Sequence, residues 1–215
     1  LCCGVEYTLR QHLYKDWVGD DHIFEPWWPV PAVWDCSSEH IWGLPTGRLV
    51  GSTDLGGFRY DPPVKSPEDY DLVTVPEFTY NARKTEEALA RTAEVLGDTM
   101  PVRLTCQPPL GPTLGTYLEQ LRGMAAMLED LALRPQLVHR TMAKLTEGCL
   151  RAMRAAEDTG LLTTNHHLPM YCSDPVNGVP ADGKVRLCNL WTDANSQEFQ
   201  VVSPRMQEEF LLSYQ

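Results

Sequence analysis

Met100-Pro-Val-Arg-Leu-Thr-Cys-Gln-Pro-Pro-Leu-Gly-Pro-Thr-Leu-Gly-Thr-Tyr-Leu-Glu119 passes from a β-type segment through a Pro- and Gly-studded loop straight into an amphipathic helix. Val102 to Cys106 supply the strand. Tyr117, Leu121, Met124, Leu128 and Leu131 then recur at steps of four and three, which predicts one long helix up to the interruption at Arg134-Pro135. Strand, loop and helix in this order form one unit of an α/β barrel or a doubly wound sheet. Such folds carry their chemistry on loops at the carboxyl ends of strands. Gln107, Thr113, Thr116 and Tyr117 are therefore the first candidates for a site.

The flanking sequence repeats the alternation. Residues 1–18 read as a helix carrying Tyr7, Leu9, Leu13, Tyr14 and Trp17 and closing near Gly19. Ile23 to Trp34, with Phe24-Glu-Pro-Trp-Trp-Pro-Val-Pro31 at its centre, reads as a Pro-broken, buried strand end entering a pocket wall. Arg48-Leu-Val-Gly-Ser52 and Gly57-Phe-Arg-Tyr60 flank Thr53-Asp-Leu-Gly56, the pattern of a hairpin excursion over about 47–61. Ser66-Pro-Glu-Asp69 is a helix-start signal, and a helix is expected from about Asn81 to Leu96, closing at Gly97. Beyond Pro135 a further helix turns Val138, Met142, Leu145, Cys149 and Met153 inward and stops at Gly160. Residues 161–165 and 185–191 are expected to be strands, separated by a polar loop. Strands alternating with helices of this length predict parallel βαβ units.

With 215 residues the chain can bury a sizeable core but falls short of the ~250 typical of a complete eight-unit barrel. Leu1 is not a start residue, and Ser203-Pro204 opens a helix with Met206, Phe210 and Tyr214 on one face that no Gly or Asn closes. The expectation is an internal segment of a longer protein: one partial barrel domain over 1–215. Net charge is −11, with 29 acidic and 18 basic residues, which disfavours nucleic acid and anionic membrane as partners. No apolar run approaches the ~20 residues of a membrane-spanning helix. Seven irregularly spaced cysteines, without a CxxC pair, speak against a disulfide framework and for a reducing cytoplasm.

Several pieces resemble the uroporphyrinogen decarboxylase family, whose relatives include cobalamin (corrinoid)-dependent methyltransferases. Thr113-Leu-Gly-Thr-Tyr117 is similar to the family's Thr-Leu-x-Thr-Tyr after a barrel strand. Arg134-Pro-Gln-Leu-Val138, with the helix ending at Glu157-Asp-Thr-Gly160, resembles its Pro-Glu-Leu-Val helix. Ser203-Pro-Arg-Met-Gln-Glu-Glu-Phe-Leu-Leu-Ser-Tyr214 resembles its Ser-Pro-x-x-Phe-x-x-Phe-x-x-Pro-Tyr helix, with Ser213 where Pro is usual. Pro63-Val-Lys-Ser-Pro-Glu-Asp69 and Pro76-Glu-Phe78 match its upstream punctuation. The resemblance implies a TIM (β/α)8 barrel, incomplete in this segment, with its site at the strands' carboxyl ends. Tyr117 would correspond to the decarboxylase tyrosine that lines the substrate pocket. The family's Phe-x-Asp reads Phe24-Glu25-Pro26 here, and the decarboxylase's arginine-bearing motif and the methyltransferases' His-x-Cys zinc motif have no counterpart.

The displaced acid and the missing arginine motif, both decarboxylase signals, favour corrinoid-dependent methyl transfer as the enzyme activity. The alternatives are uroporphyrinogen decarboxylation, a cofactor-free lyase step of porphyrin biosynthesis, and a non-catalytic barrel that binds a corrinoid protein. Methyl transfer implies zinc and a corrinoid carried on a partner protein, with a small-molecule or tetrapyrrole/corrinoid substrate; a homodimer is left open. Tyr117, Glu25 and Glu198 are the catalytic candidates. Glu25 lies among Phe24, Trp27 and Trp28, where burial would raise a carboxyl toward a proton donor's range, though a structural salt-bridged role is equally open. Gln107, Thr113, Asn165, His166 and Gln197 are substrate-binding candidates. His167, Cys172 and Cys188 could form an open three-ligand zinc site, although their spacing fits no common zinc pattern. Asp193, Asn195, Gln197 and Glu198 otherwise read as a solvated turn.

Overall fold

A computed structural model describes residues 2–22, 24–50, 57–166, 176 and 181–215. The protein is mixed α/β, and the chain falls into two compact units. The first takes Leu1–Asp35, Thr79–Pro109 and Ala155–Thr192; the second takes Cys36–Phe78, Leu110–Arg154 and Asp193–Gln215. Among the described residues the strands form three two-stranded sheets, and no helix is long and apolar enough to cross a membrane. One of these sheets pairs the short strands β2 (Trp34–Cys36) and β5 (Phe78–Tyr80).

In the first unit, helix α1 (Cys2–Val18) ends at Gly19, whose φ of 76° suits the glycine. Strand β1 (Trp28–Pro31) pairs in parallel with β6 (Val102–Thr105), with Trp28 opposite Val102 and Pro31 opposite Thr105. Trp28 N donates to Pro101 O and Ala32 N to Thr105 O, both at 2.7 Å. Pro29 and Pro31 therefore occupy the alternate positions, whose N–H groups would have pointed away from β6. A strand so built ends a sheet on that side. Helix α2 (Ala82–Leu96) starts at Asn81, whose side chain accepts from Lys84 N, a cap that contributes about 1 kcal/mol. Its buried Thr85 accepts from Val33 N at 3.0 Å and so ties the end of β1 to the helix.

The strands expected at 161–165 and 185–191 do not form. Thr163 N donates to Cys106 O at 3.0 Å, as a ladder would require, but Cys106 N is taken by the Thr163 hydroxyl at 3.0 Å. The side chain replaces the backbone carbonyl and pairing stops there. In the later segment, Asn189 Oδ1 accepts from Arg186 N while Asn189 N donates to Arg186 O. That reciprocal closure winds Leu187–Asn189 into a 3-10 turn rather than a strand. The small core here comprises Cys106, Ala156 and Leu162, flanked by Ala32, Trp34, Val185, Leu187 and Leu190.

In the second unit, β3 (Gly47–Val50) and β4 (Phe58–Asp61) pair antiparallel in the stretch read as a hairpin. The expected turn between them, 51–56, lies outside the described residues. The Ser66 start opens a 3-10 turn, Pro67–Leu72, with Asp69 Oδ2 accepting from the N–H of Lys65 and of Ser66.

The single helix expected from Tyr117 to Leu131 is two: α3 (Leu114–Arg122) and α4 (Met124–Leu133). Gly123, with φ of 83°, breaks it, and Met124 is left exposed although it fits the apolar spacing. The break lets Arg122 turn inward, where its Nε donates to the fully buried Asp130 at 2.7 Å. Helix α5 (Pro135–Asp158) carries Val138, Met142, Leu145 and Cys149 into the core; the buried stripe continues through Ala152, while Met153 is only half-buried. Gly148 sits where an added Cβ would lie 2.7 Å from the Trp42 ring. Ser203 caps α6 (Pro204–Phe210), as its Ser-Pro signal predicted, and Phe210 and Leu211 close the core.

Candidate functional site

The carboxyl ends of β1 and β6 border a cavity of about 370 Å³ within the first unit. Pro29 and Pro31 from β1 and Pro108 and Pro109 from the loop after β6 form much of its wall, with Ala32 and Trp34. Trp34 is braced by an edge-on contact with Tyr80, ring centroids 5.8 Å apart. The polar lining consists of Thr105, Gln107 and Thr163, and no charged side chain is among the described lining residues. Gln107 Nε2 donates to Thr163 O at 2.5 Å and contacts the Thr163 hydroxyl at 3.3 Å. Cys106, on the same loop, is buried, and burial raises its thiol pKa, so it behaves as a packing group rather than a nucleophile.

The other candidates of this unit have different surroundings. Glu25 does not line the cavity; it is half-buried, Phe24 beside it is exposed, and its Oε2 accepts from Trp27 Nε1 at 2.9 Å. The apolar enclosure its sequence context suggested is not formed. Asn165 is buried, but its amide is used at both ends: Nδ2 donates to Trp191 O at 2.7 Å and Oδ1 accepts from Trp191 N at 2.9 Å. The side chain thus clamps the Trp191 backbone rather than presenting an amide to a ligand. His166 is half-buried on the turn that follows Asn165. His167 and Cys172 lie outside the described residues. Cys188 is exposed, with its Sγ 4.0 Å from Asn189 Oδ1. Among the described residues no group of three or more His, Cys, Asp or Glu side chains is placed to hold a metal ion.

In the second unit, Thr113 precedes α3 and its carbonyl accepts from Tyr117 N at 3.2 Å. The Tyr117 hydroxyl donates to Gly111 O at 3.0 Å, and its ring packs on Trp42 at 5.2 Å. Burial raises the phenol pKa, and the geometry is that of a core tyrosine with its hydroxyl satisfied. Cys149 Sγ meets the same Gly111 carbonyl at 3.2 Å, and burial pushes its thiol up to about 12.

Glu198 is the candidate with the most specific setting. Its Oε1 accepts from the Thr116 hydroxyl at 2.7 Å, while Oε2 is buried with no hydrogen-bond partner among the described residues. A Cβ at Gly115 would lie 2.9 Å from that Oε2 and 3.4 Å from the Phe199 ring, so the glycine makes room for both. Glu119, one turn along α3, has its carboxyl raised by burial and by the charge of Glu198. Gln197 is exposed. Glu119 was missed in the sequence because it reads as an ordinary helix-surface acid; its three-residue spacing from Thr116 was the available signal. Thr163 and the Pro108-Pro109 pair were missed as cavity walls for a different reason: the prolines read as loop punctuation and Thr163 as an interior strand residue, and only packing against β1 and β6 makes them a wall.

No protein-family model, curated protein or solved structure matches the chain.

Proposed function

We propose that this chain is part of an α/β-barrel enzyme of the uroporphyrinogen decarboxylase-like superfamily, acting in corrinoid-dependent methyl transfer. The observation that carries the proposal is the cavity at the carboxyl ends of the parallel strands β1 and β6. Open α/β folds and barrels bind their ligands at that end of the strands. The ordered sequence resemblance supplies the superfamily. Within it, the uncharged described lining suits a methyl-bearing small molecule better than a polycarboxylate tetrapyrrole, whose acidic arms call for arginines.

On this proposal the chain's own residues bind and orient. The proline, alanine and tryptophan walls exclude water, and Gln107, held by Thr163, presents a fixed amide to the ligand. A corrinoid on its carrier protein supplies the methyl acceptor or donor when bound.

The test uses the full-length protein: its metal content is measured, and cobalamin methylation is assayed beside porphyrinogen decarboxylation. Methyl exchange with a corrinoid is expected. A metal-free protein that decarboxylates porphyrinogen would overturn the proposal for the lyase. Activity in neither assay would leave a binding barrel.

A further inference from the structure

Beside the Thr105 hydroxyl, which can donate or accept, the cavity is lined by an amide whose open end has a fixed chemistry. Thr163 O can only accept a hydrogen bond, so the Gln107 amide must turn its NH2 end toward that carbonyl. Oε1 is the end left over, an acceptor with no hydrogen-bond partner among the described residues. The walls around it are rigid. Proline and alanine lose no side-chain rotamers when a ligand packs on them, and Trp34 is already braced by Tyr80. The volume of about 370 Å³ lies at the lower end of the range for small-molecule sites.

We infer that this cavity takes a neutral, ring-bearing small molecule that presents one N–H or O–H donor to Gln107 Oε1. A carboxylate would be desolvated against proline faces with no cation among the described lining, which is costly. A ring with no donor would fill the space but leave Oε1 unpaired. The inference rests on the proposed function only in taking this cavity as the substrate site; it names the ligand class and not the reaction.

Indole, its isostere 1-benzofuran and indole-3-acetate are the probes, titrated into the uniformly 15N-labelled chain and followed by amide shifts. Saturable shifts at Ala32, Thr105, Gln107 and Thr163 are expected with indole. One net hydrogen bond makes indole bind about three- to ten-fold tighter than 1-benzofuran, with indole-3-acetate weakest. In Gln107→Leu the two neutral probes should bind alike. If that variant does not fold, the comparison on the unaltered chain still decides. Equal or tighter binding of 1-benzofuran, preference for indole-3-acetate, or no shifts at these residues would overturn the inference. Indole binding by a protein that transfers no methyl group would remove the proposed reaction and leave the ligand class standing. Methyl transfer without indole binding would do the reverse.

Discussion

Replacing Asp130 by leucine should strongly destabilise the second unit. Its carboxylate is fully buried and accepts from Tyr70 OH at 2.8 Å, Arg122 Nε at 2.7 Å and Arg134 NH1 at 2.6 Å. Arg122 is nearly as enclosed, its side chain 9% exposed, and NH1 donates to the carbonyls of Val64 at 3.1 Å and Lys65 at 2.8 Å. Asp130→Leu leaves that guanidinium without its counter-charge and Tyr70 without its acceptor. Breaking a buried pair on one side costs about 3–5 kcal/mol. Against a typical total of about 5–15 kcal/mol, that is a large share of the fold's stability.

Urea unfolding followed by tryptophan fluorescence and circular dichroism measures the loss, expected as a midpoint lower by about 1–3 M for slopes of ordinary size. The double variant Arg122→Met/Asp130→Leu removes both charges and should recover most of the loss. A single variant that costs under about 1 kcal/mol, or a double variant as damaging as the sum of the singles, would refute the reasoning. The network also sets a pH dependence. Burial alone would raise the Asp130 carboxyl, but hydrogen bonds from Arg122, Tyr70 and Arg134 outweigh it and hold the pKa below the usual range. Its contribution is therefore present above the unfolded carboxyl pKa and lost as pH falls through the folded one.

Gly123→Ala should destabilise by about 1–3 kcal/mol in the same urea assay, since its positive φ is strained for any side chain and a Cβ would meet Pro62 at 3.1 Å. Glu198→Gln should lower the Glu119 pKa in a carboxyl-resolved NMR titration, because the Glu198 charge helps raise it. As that folded pKa is raised, stability is full below the unfolded carboxyl pKa and declines as pH rises through the folded value, a decline the variant should reduce. Asn165→Ala should speed amide hydrogen exchange at Trp191, whose N–H and carbonyl both lose their Asn165 partner, with unchanged exchange there counting against the clamp.

Local chemistry was legible in the sequence wherever neighbours along the chain supply it. Asn81 capping α2, Ser203-Pro204 opening α6, Gly19 closing α1 and the β-type run that becomes β6 all follow from residues within a few positions. The Pro-broken run around Trp28 likewise becomes a strand whose prolines line a cavity. What the sequence could not decide are contacts between residues far apart. The Tyr117 to Leu131 periodicity is genuine, yet the helix breaks at Gly123, where Arg122 turns to Asp130 and to the Val64 and Lys65 carbonyls. The Thr163 hydroxyl ends a ladder that the apolar pattern began, because its partner is Cys106 N, 57 residues away. The same holds for function: Glu25 looked enclosed by its aromatic neighbours and is not, while Glu198 gained its setting from Gly115 and Thr116. Periodicity and capping are encoded locally because they depend on backbone geometry; which polar group meets which is decided only when the chain has packed.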